Sequence, residues 1–155
     1  MPSSINIGLF YQDELVSLMT FGKSRYGKNY DWELLRFCNK KYTSVIGGAS
    51  KLFKHFTKSN TGIIVSYADM RRSTGNLYDT LGFELSHISE PNYWYWNKKK
   101  DLILESRIKY QKHKLGNILE EYDANLTESE NMYNNDYRKI YDCGNQVWEY
   151  KKMGN

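Results

Sequence analysis

Cysteine is scarce in this sequence: Cys38 and Cys143 are the two among 155 residues, and no paired spacing connects them. That argues against a disulfide framework and for reduced thiols in a cytoplasmic protein. No apolar run approaches the roughly 18 residues that a membrane span needs. The opening MPSSINIGLF has no basic stretch followed by an apolar one, so no secretory signal is expected. Histidines stand scattered at 55, 87 and 113 with no Cys-x-x-Cys partner, and no metal is expected. A His-Glu-x-x-His pattern and a histidine–asparagine nuclease cluster are both missing, and Lys99 and Lys100 have no paired acids ahead of them. Nor does one sign of charge dominate. Lys and Arg number 22 against 18 Asp and Glu, a net charge of +4, and mild basicity selects no partner by itself.

What is abundant is aromatic surface. Aromatic residues make up 15% of the chain and include 14 tyrosines. Such side chains either stack on bases or fill cores and interfaces. With 40% hydrophobic and 26% charged residues, the chain reads as one globular domain able to bury a core.

The segment 5-INIGLFYQDELVSLMTFGK-23 alternates apolar and polar residues on both sides of Gln12-Asp13-Glu14, the pattern of a β-hairpin. After the polar SRYGKNYD, 32-WELLRFC-38 reads as a further strand. In 43-TSVIGGASKLFKHF-56 a glycine pair leads into Leu52, Phe53 and Phe56 at helical spacing. Asn60-Thr61-Gly62 marks a turn, 63-IIVSY-67 a buried strand, and 73-STGNLYDTLGF-83 a short helix stopped at Gly82. Pro91 precedes the aromatic strand 92-NYWYW-96. This β-β-β-α-β-α-β order gives an α/β or α+β core over residues 1–97.

The last third, 98–155, changes character. Leu104, Ile108, Gln111 and Leu115 have the spacing of one helix face in a segment rich in Lys and Arg. Residues 115–136 then carry Glu120, Glu121, Asp123, Glu128, Glu130 and Asp136 without a single basic residue. Thr127-x-x-Glu130 is a capping box that predicts a helix over about 128–139. The tail 142-DCGNQVWEY-150 reads as a turn and a final strand. With no repeat or low-complexity linker between them, these parts form a C-terminal elaboration of the same domain.

Three features carry chemistry. The backbone N–H groups of Gly47, Gly48, Ala49 and Ser50 at a helix start can receive an anion, with Lys51 and Lys54 adding charge. The same residues can equally form a plain turn with Ser50 as N-cap. Asp69 follows a buried strand, where ligands of open α/β sheets collect, or it pairs with Arg71 or Arg72. Lys98, Lys99, Lys100, Arg107, Lys109, Lys112 and Lys114, interleaved with Trp94, Trp96 and Tyr110, form either a phosphate-neutralising stripe with stacking faces or a solvated helix face.

Strand, glycine loop, helix, strand and a helix ending in Leu-Gly-Phe together resemble the GNAT superfamily of N-acetyltransferases over residues 5–97. On that resemblance the fold is a GNAT-like mixed central sheet with flanking helices. Ile46, Gly47, Gly48, Ala49, Ser50 and Lys51 look like its acyl-coenzyme A pyrophosphate loop, although the glycines are adjacent and Thr43 or Ser44 stands where a basic or amide residue is usual. The resemblance makes Tyr78 the donor of a proton to the departing thiolate, a role suited to a phenol of pKa near 10. It makes Glu33 a general base acting through water, the alternative being an exposed edge glutamate. VSYADMRRSTGNLYDTLGF is similar to the phage Mom type of DNA-modification protein, which implies a role for Asp69 in handling an amine nucleophile and one for Ser50. SRIKYQKHKL, TESENM and YRKIYDCGN resemble phage proteins linked to homing endonucleases. The expected cofactor is acetyl-CoA or a related acyl-CoA, the expected partner nucleic acid (DNA), and the expected setting the cytoplasm of an infected bacterium. The rival expectation is a non-catalytic module that binds DNA or a host factor.

Overall fold

In the computed structural model, which describes residues 4–100 and 103–152, the first register is set by a two-residue turn. Gln12 and Asp13 both have positive φ, 48° and 62°, as a type I′ hairpin turn requires. It joins β1 (Ile5–Tyr11) to β2 (Glu14–Gly22) in antiparallel register from Ile5↔Phe21 to Tyr11↔Glu14. β3 (Trp32–Asn39) continues the sheet antiparallel to β2. α1 (Gly48–Ser59) follows, then β4 (Ile63–Asp69), α2 (Asn76–Thr80), β5 (Glu84–Ile88) and β6 (Tyr93–Asn97). Next come the short β7 (Glu105–Ser106), a 3₁₀ turn at Arg107–Tyr110, α3 (Lys112–Leu115), α4 (Glu128–Asn134), β8 (Tyr137–Tyr141) and β9 (Asn145–Lys151). The class is mixed α+β.

Contacts divide the chain into two units, 1–89 with 145–155, and 90–144. The boundary expected at residue 97 is therefore not where the contacts divide. β9 pairs along its whole length with β4, from Ile63↔Lys151 to Asp69↔Asn145, and so returns to the first unit. β6 pairs with β7 and β8 and belongs to the second.

The first unit has a six-stranded mixed sheet in the order β1-β2-β3-β4-β9-β5. The expected apolar face of α1 is buried as Leu52, Phe53 and Phe56. Phe56 stacks on Phe21 with ring centroids 3.6 Å apart and meets Trp32 edge-on at 5.3 Å. Phe53 contacts Phe83 and Tyr150. α2 ends as its sequence predicts. Gly82 has φ 83°, its N–H bonds to Asp79 O, and the Phe83 N–H bonds to Tyr78 O, a Schellman motif.

β3 and β4 form the sheet's parallel junction, and they pair at two positions only, Trp32↔Ile64 and Glu33↔Val65. Asp31 clasps the start of this junction. Its N–H bonds to Ile63 O and its carboxylate accepts the Ile63 N–H at 2.8 Å. Past the last pair, the buried Ser66 hydroxyl donates to Leu34 O at 2.9 Å. From there β3 pairs with β2 and β4 pairs with β9, and the two no longer pair with each other.

The second unit contains the three-stranded sheet β7-β6-β8 around Tyr95, Tyr110, Leu115, Met132 and Tyr137. Its α4 carries the expected capping box, with Thr127 and Glu130 each bonding the other's backbone N–H. The helix stops earlier than expected. Asp136 takes φ 65°, and Tyr137 turns inward on β8, whose pairing with β6 replaces the helix's last turn. The single basic helix expected over 104–115 is also replaced, by β7, the 3₁₀ turn and α3. Gln111 is extended (φ −61°, ψ 139°) and separates the two short pieces. Burial explains the break: Tyr110 is fully buried, while Leu104 and Ile108 of the expected apolar face are 48% and 64% exposed.

Candidate functional site

The glycine turn lies against the sheet's first strand, where a Cβ on Gly48 would stand 3.5 Å from a Leu9 methyl. Gly47 is the N-cap of α1 with φ 69° and ψ 4°, a left-handed conformation natural to glycine. A Cβ built there would meet nothing within 4 Å. Gly48 is buried, and its N–H turns back to Val45 O at 3.0 Å. Among the described residues no side chain caps α1, and its first turn carries no acid. The positive end of the helix dipole is therefore uncompensated by its own turn. Ser50 lies inside the helix and is not its cap. Ile46 is almost fully exposed, Ala49 and Ser50 are half-buried, and Lys51 is exposed.

Glu33 is neither an exposed edge residue nor a carboxylate open to water. It is 1% exposed, and Arg25 occupies both of its oxygens. The Arg25 N–H reaches Oε2 at 3.0 Å, Nε reaches Oε1 at 3.1 Å, and Nη2 reaches Oε1 at 2.6 Å.

Asp69 ends β4 and pairs with Arg71 in a fork. Nε meets Oδ1 at 3.0 Å and Nη2 meets Oδ2 at 2.6 Å, with the Arg71 backbone N–H also on Oδ1. These bonds from Arg71 hold the Asp69 carboxyl down at about 2. At neutral pH it is an anion with little basicity, suited to electrostatic and orienting work rather than proton abstraction.

Tyr78 sits on α2, half-buried, stacked on Trp148 at 5.8 Å and edge-on to Phe83 at 5.7 Å. The position of α2 depends on Gly75, its N-cap, with φ 87°. A Cβ there would stand 2.5 Å from Gln146 Oε1 and 2.6 Å from the Trp148 ring. Only glycine lets the start of α2 come this close to β9.

The basic run does not present seven free cations. Lys99 pairs with Asp136 at 2.6 Å and Lys109 with Glu105 at 2.5 Å. Lys100 donates to the Tyr137 hydroxyl at 3.1 Å, and Lys114 to Ile108 O at 3.1 Å. Arg107 lies 5.3 Å over the Tyr93 ring. Tyr110 is buried and offers no stacking face, and the Trp96 indole N–H is buried with no partner among the described residues. Lys98 and Lys112 are exposed.

Sequence reasoning missed the cluster on Glu33. Tyr26 stands edge-on to Tyr67 at 5.6 Å, and the Tyr30 hydroxyl donates to Glu149 Oε1 at 2.7 Å. That bond raises the Tyr30 phenol to about 12, and burial raises Tyr67. The available signal was the density of Lys, Arg and Tyr in KSRYGKNYD, a stretch that has no secondary-structure pattern.

Among the described residues no group of three or more His, Cys, Asp or Glu converges as a metal site, and no helix is long and apolar enough to cross a membrane. No protein-family model matches the chain, and no curated protein sequence matches it.

Proposed function

We propose that the first unit is a GNAT-like acyl-transfer module, with acyl-coenzyme A as donor and a nucleobase amine, in the manner of the Mom-type proteins, as acceptor. The observation that carries the reading is the uncapped glycine turn, Gly47-Gly48, which follows β3 and opens α1 in a sheet whose parallel junction stops pairing after Glu33↔Val65. The turn supplies a site for the donor's pyrophosphate. The unpaired backbone at the carboxyl ends of β3 and β4 is where ligands of such sheets bind. The insertion of β9 between β4 and β5 agrees with the GNAT reading.

In this reading acyl-coenzyme A would supply the thioester. The amine nitrogen would bond to its carbonyl carbon as the C–S bond breaks, and Tyr78, whose ring Trp148 and Phe83 hold in place, would protonate the leaving thiolate. The proton lost by the nitrogen would return through solvent to the tyrosinate. Both carboxylates near the junction are engaged by arginine, Glu33 by Arg25 and Asp69 by Arg71. An aliphatic ammonium of pKa near 10 would need a base to become a nucleophile. An exocyclic amine of a nucleobase is already neutral at pH 7, so it needs no such group before attack, and this favours a base as acceptor. The same two ion pairs favour a second reading, a non-catalytic module that binds DNA or a host factor.

Calorimetric titration with acetyl-CoA and CoA separates the two. Gly47→Asn and Gly47→Asp impose the same left-handed strain and differ only in charge. Binding to the wild type, kept by Gly47→Asn and weakened at least about tenfold by Gly47→Asp (about 1.4 kcal/mol), supports a phosphate on the turn. No binding by the wild type removes the acyl-CoA reading and leaves the binding module.

A further inference from the structure

The connection between β2 and β3 has no part in the transfer step above, yet it is tied down at three places. Arg25 is fixed on Glu33, Tyr30 on Glu149, and Asp31 on Ile63. Together its residues enclose an open cleft of about 450 Å³ lined by Lys23, Arg25, Tyr26, Lys28, Tyr30 and Asp31, within the size range of small-ligand sites. Its anchors hold two kinds of group in readiness.

The first is a guanidinium. Burying the Glu33 carboxylate carries a desolvation cost that a well-packed apolar side chain would avoid. The carboxylate takes Nε and Nη2 of an arginine whose side chain is 58% exposed, so the guanidinium is held by one edge while the side chain stays largely open to solvent. A planar fork held in one orientation suits a phosphate. Lys23 and Lys28 rim the same cleft, while the Asp31 carboxylate is spent on the Ile63 N–H. Counting Glu33 under Arg25, and Glu149 with its partner Lys151 beside Tyr30, four cations face three carboxylates. The net charge of +1 matches a single phosphate better than a dense polyanion.

The second is aromatic. Tyr26 is 76% exposed yet held upright by its edge-on contact with Tyr67 and by Arg25, which lies 5.3 Å from its ring centre. Tyr30 lies so close to Gly27 that a Cβ there would come within 2.6 Å of its ring. Exposed aromatic faces beside a fixed cation are the ordinary means of holding an unpaired base and its phosphate.

We propose that the Lys23–Asp31 cleft receives one nucleoside phosphate, its base against Tyr26 and its phosphate between Arg25 and Lys28. In the reading above, on which this role alone rests, the cleft selects the acceptor. A free mononucleotide and one residue of a single-stranded nucleic acid present the same chemistry.

The full chain is titrated at low salt with nucleoside 5′-monophosphates, a mixed-sequence single-stranded oligonucleotide, inorganic phosphate and CoA. Tyr26→Ala and Lys28→Glu change exposed side chains and leave the fold intact. Each is expected to weaken nucleotide binding about tenfold, in line with the 1–3 kcal/mol per stacked base, and to leave the CoA titration unchanged. Binding of the monophosphates identifies a free nucleotide, and binding of the oligonucleotide alone identifies a residue in a chain. Three results would overturn the proposal: no binding of either probe, inorganic phosphate competing as well as a nucleotide, or indifference to both variants. Nucleotide binding without CoA binding sinks the acyl-transfer reading and spares the cleft; the reverse result sinks the cleft and spares the reading.

Discussion

The two units of this chain both build their centres from aromatic rings, and they do it by opposite means. In the first unit the rings are apolar and dry: Phe21 on Phe56, Phe53 against Phe83. In the second the rings are tyrosines, and their hydroxyls must be satisfied where they are buried. Tyr93 and Tyr95 both donate to Glu128, at 3.1 and 2.9 Å. Tyr110 donates to Glu105, and Lys100 donates to Tyr137. A dry core is sensitive to volume and indifferent to pH, whereas a core of hydroxyls and carboxylates is sensitive to both.

The largest effect should come from volume. Phe56→Ala removes a ring that is 1% exposed and stacked on Phe21. It should cost about 3–5 kcal/mol in denaturant unfolding, with Phe56→Leu costing distinctly less and neither loss changing with pH. If Phe56→Ala is nearly neutral, the stack does not hold the first unit together.

The buried charge of the first unit, Glu33, tests the contrast next. Arg25→Leu leaves Glu33 buried without its cation, and breaking such pairs costs about 3–5 kcal/mol, less here because the arginine itself is largely exposed. Glu33→Gln instead releases an exposed guanidinium to water and should be the milder change. Equal losses in chemical denaturation would mean that the ion pair, rather than the buried carboxylate, sets the penalty.

How much of this could be read beforehand follows the same division. Period and turn chemistry exposed the hairpin at Gln12-Asp13, the apolar face of α1 and the stop at Gly82, all of them local signals. β5 went unread because every residue of ELSHI is exposed and the strand exists through its pairing with β9. The basic helix over 104–115 was a correct reading of spacing overruled by tertiary demand, since Tyr110 goes inside and Ile108 does not. The glycine turn was legible from its residues. The state of its neighbours was not: whether Glu33 is open to water depends on Arg25, eight positions upstream across an irregular loop.

Alkaline pH should sharpen the comparison further. Burial and the bond to Glu128 raise the Tyr95 phenol, and burial and the bond to Glu105 raise Tyr110. For an acid whose folded value lies above its ordinary value near 10, the native state keeps the proton that the unfolded state releases. Stability from these groups is therefore complete below about pH 10 and lost as pH rises beyond it. Tyr137 is shifted the other way, because the bonds from Tyr110 and Lys100 outweigh its burial, and it offsets part of the loss. In a spectrophotometric titration Tyr95 and Tyr110 should form the last phenolates to appear, together with Tyr30 near 12. Tyr95→Phe should remove part of that late step and cost about 1 kcal/mol at neutral pH for the lost hydroxyl bond. An unchanged late step would mean that the hydroxyls of the second unit are open to solvent.

The smallest effect concerns how that second unit is organised without a large dry core. Its α4 is seven residues long, too short to persist by propensity alone, and it depends on its first turn. The Thr127 hydroxyl accepts the Glu130 N–H, and the Glu130 carboxylate accepts the Thr127 N–H at 2.8 Å. The same helix carries Glu128, which takes the hydroxyls of Tyr93 and Tyr95, and the fully buried Met132. A frayed cap would therefore reach the tyrosine cluster through Glu128. Thr127→Ala should cost about 1 kcal/mol, and Thr127→Ser should restore most of it. The loss should appear as faster amide exchange in 127–134 and as earlier ionisation of Tyr95, with exchange in α1 unchanged. If α1 loses protection to the same extent, the two units unfold as one and the contrast between their cores has no thermodynamic expression.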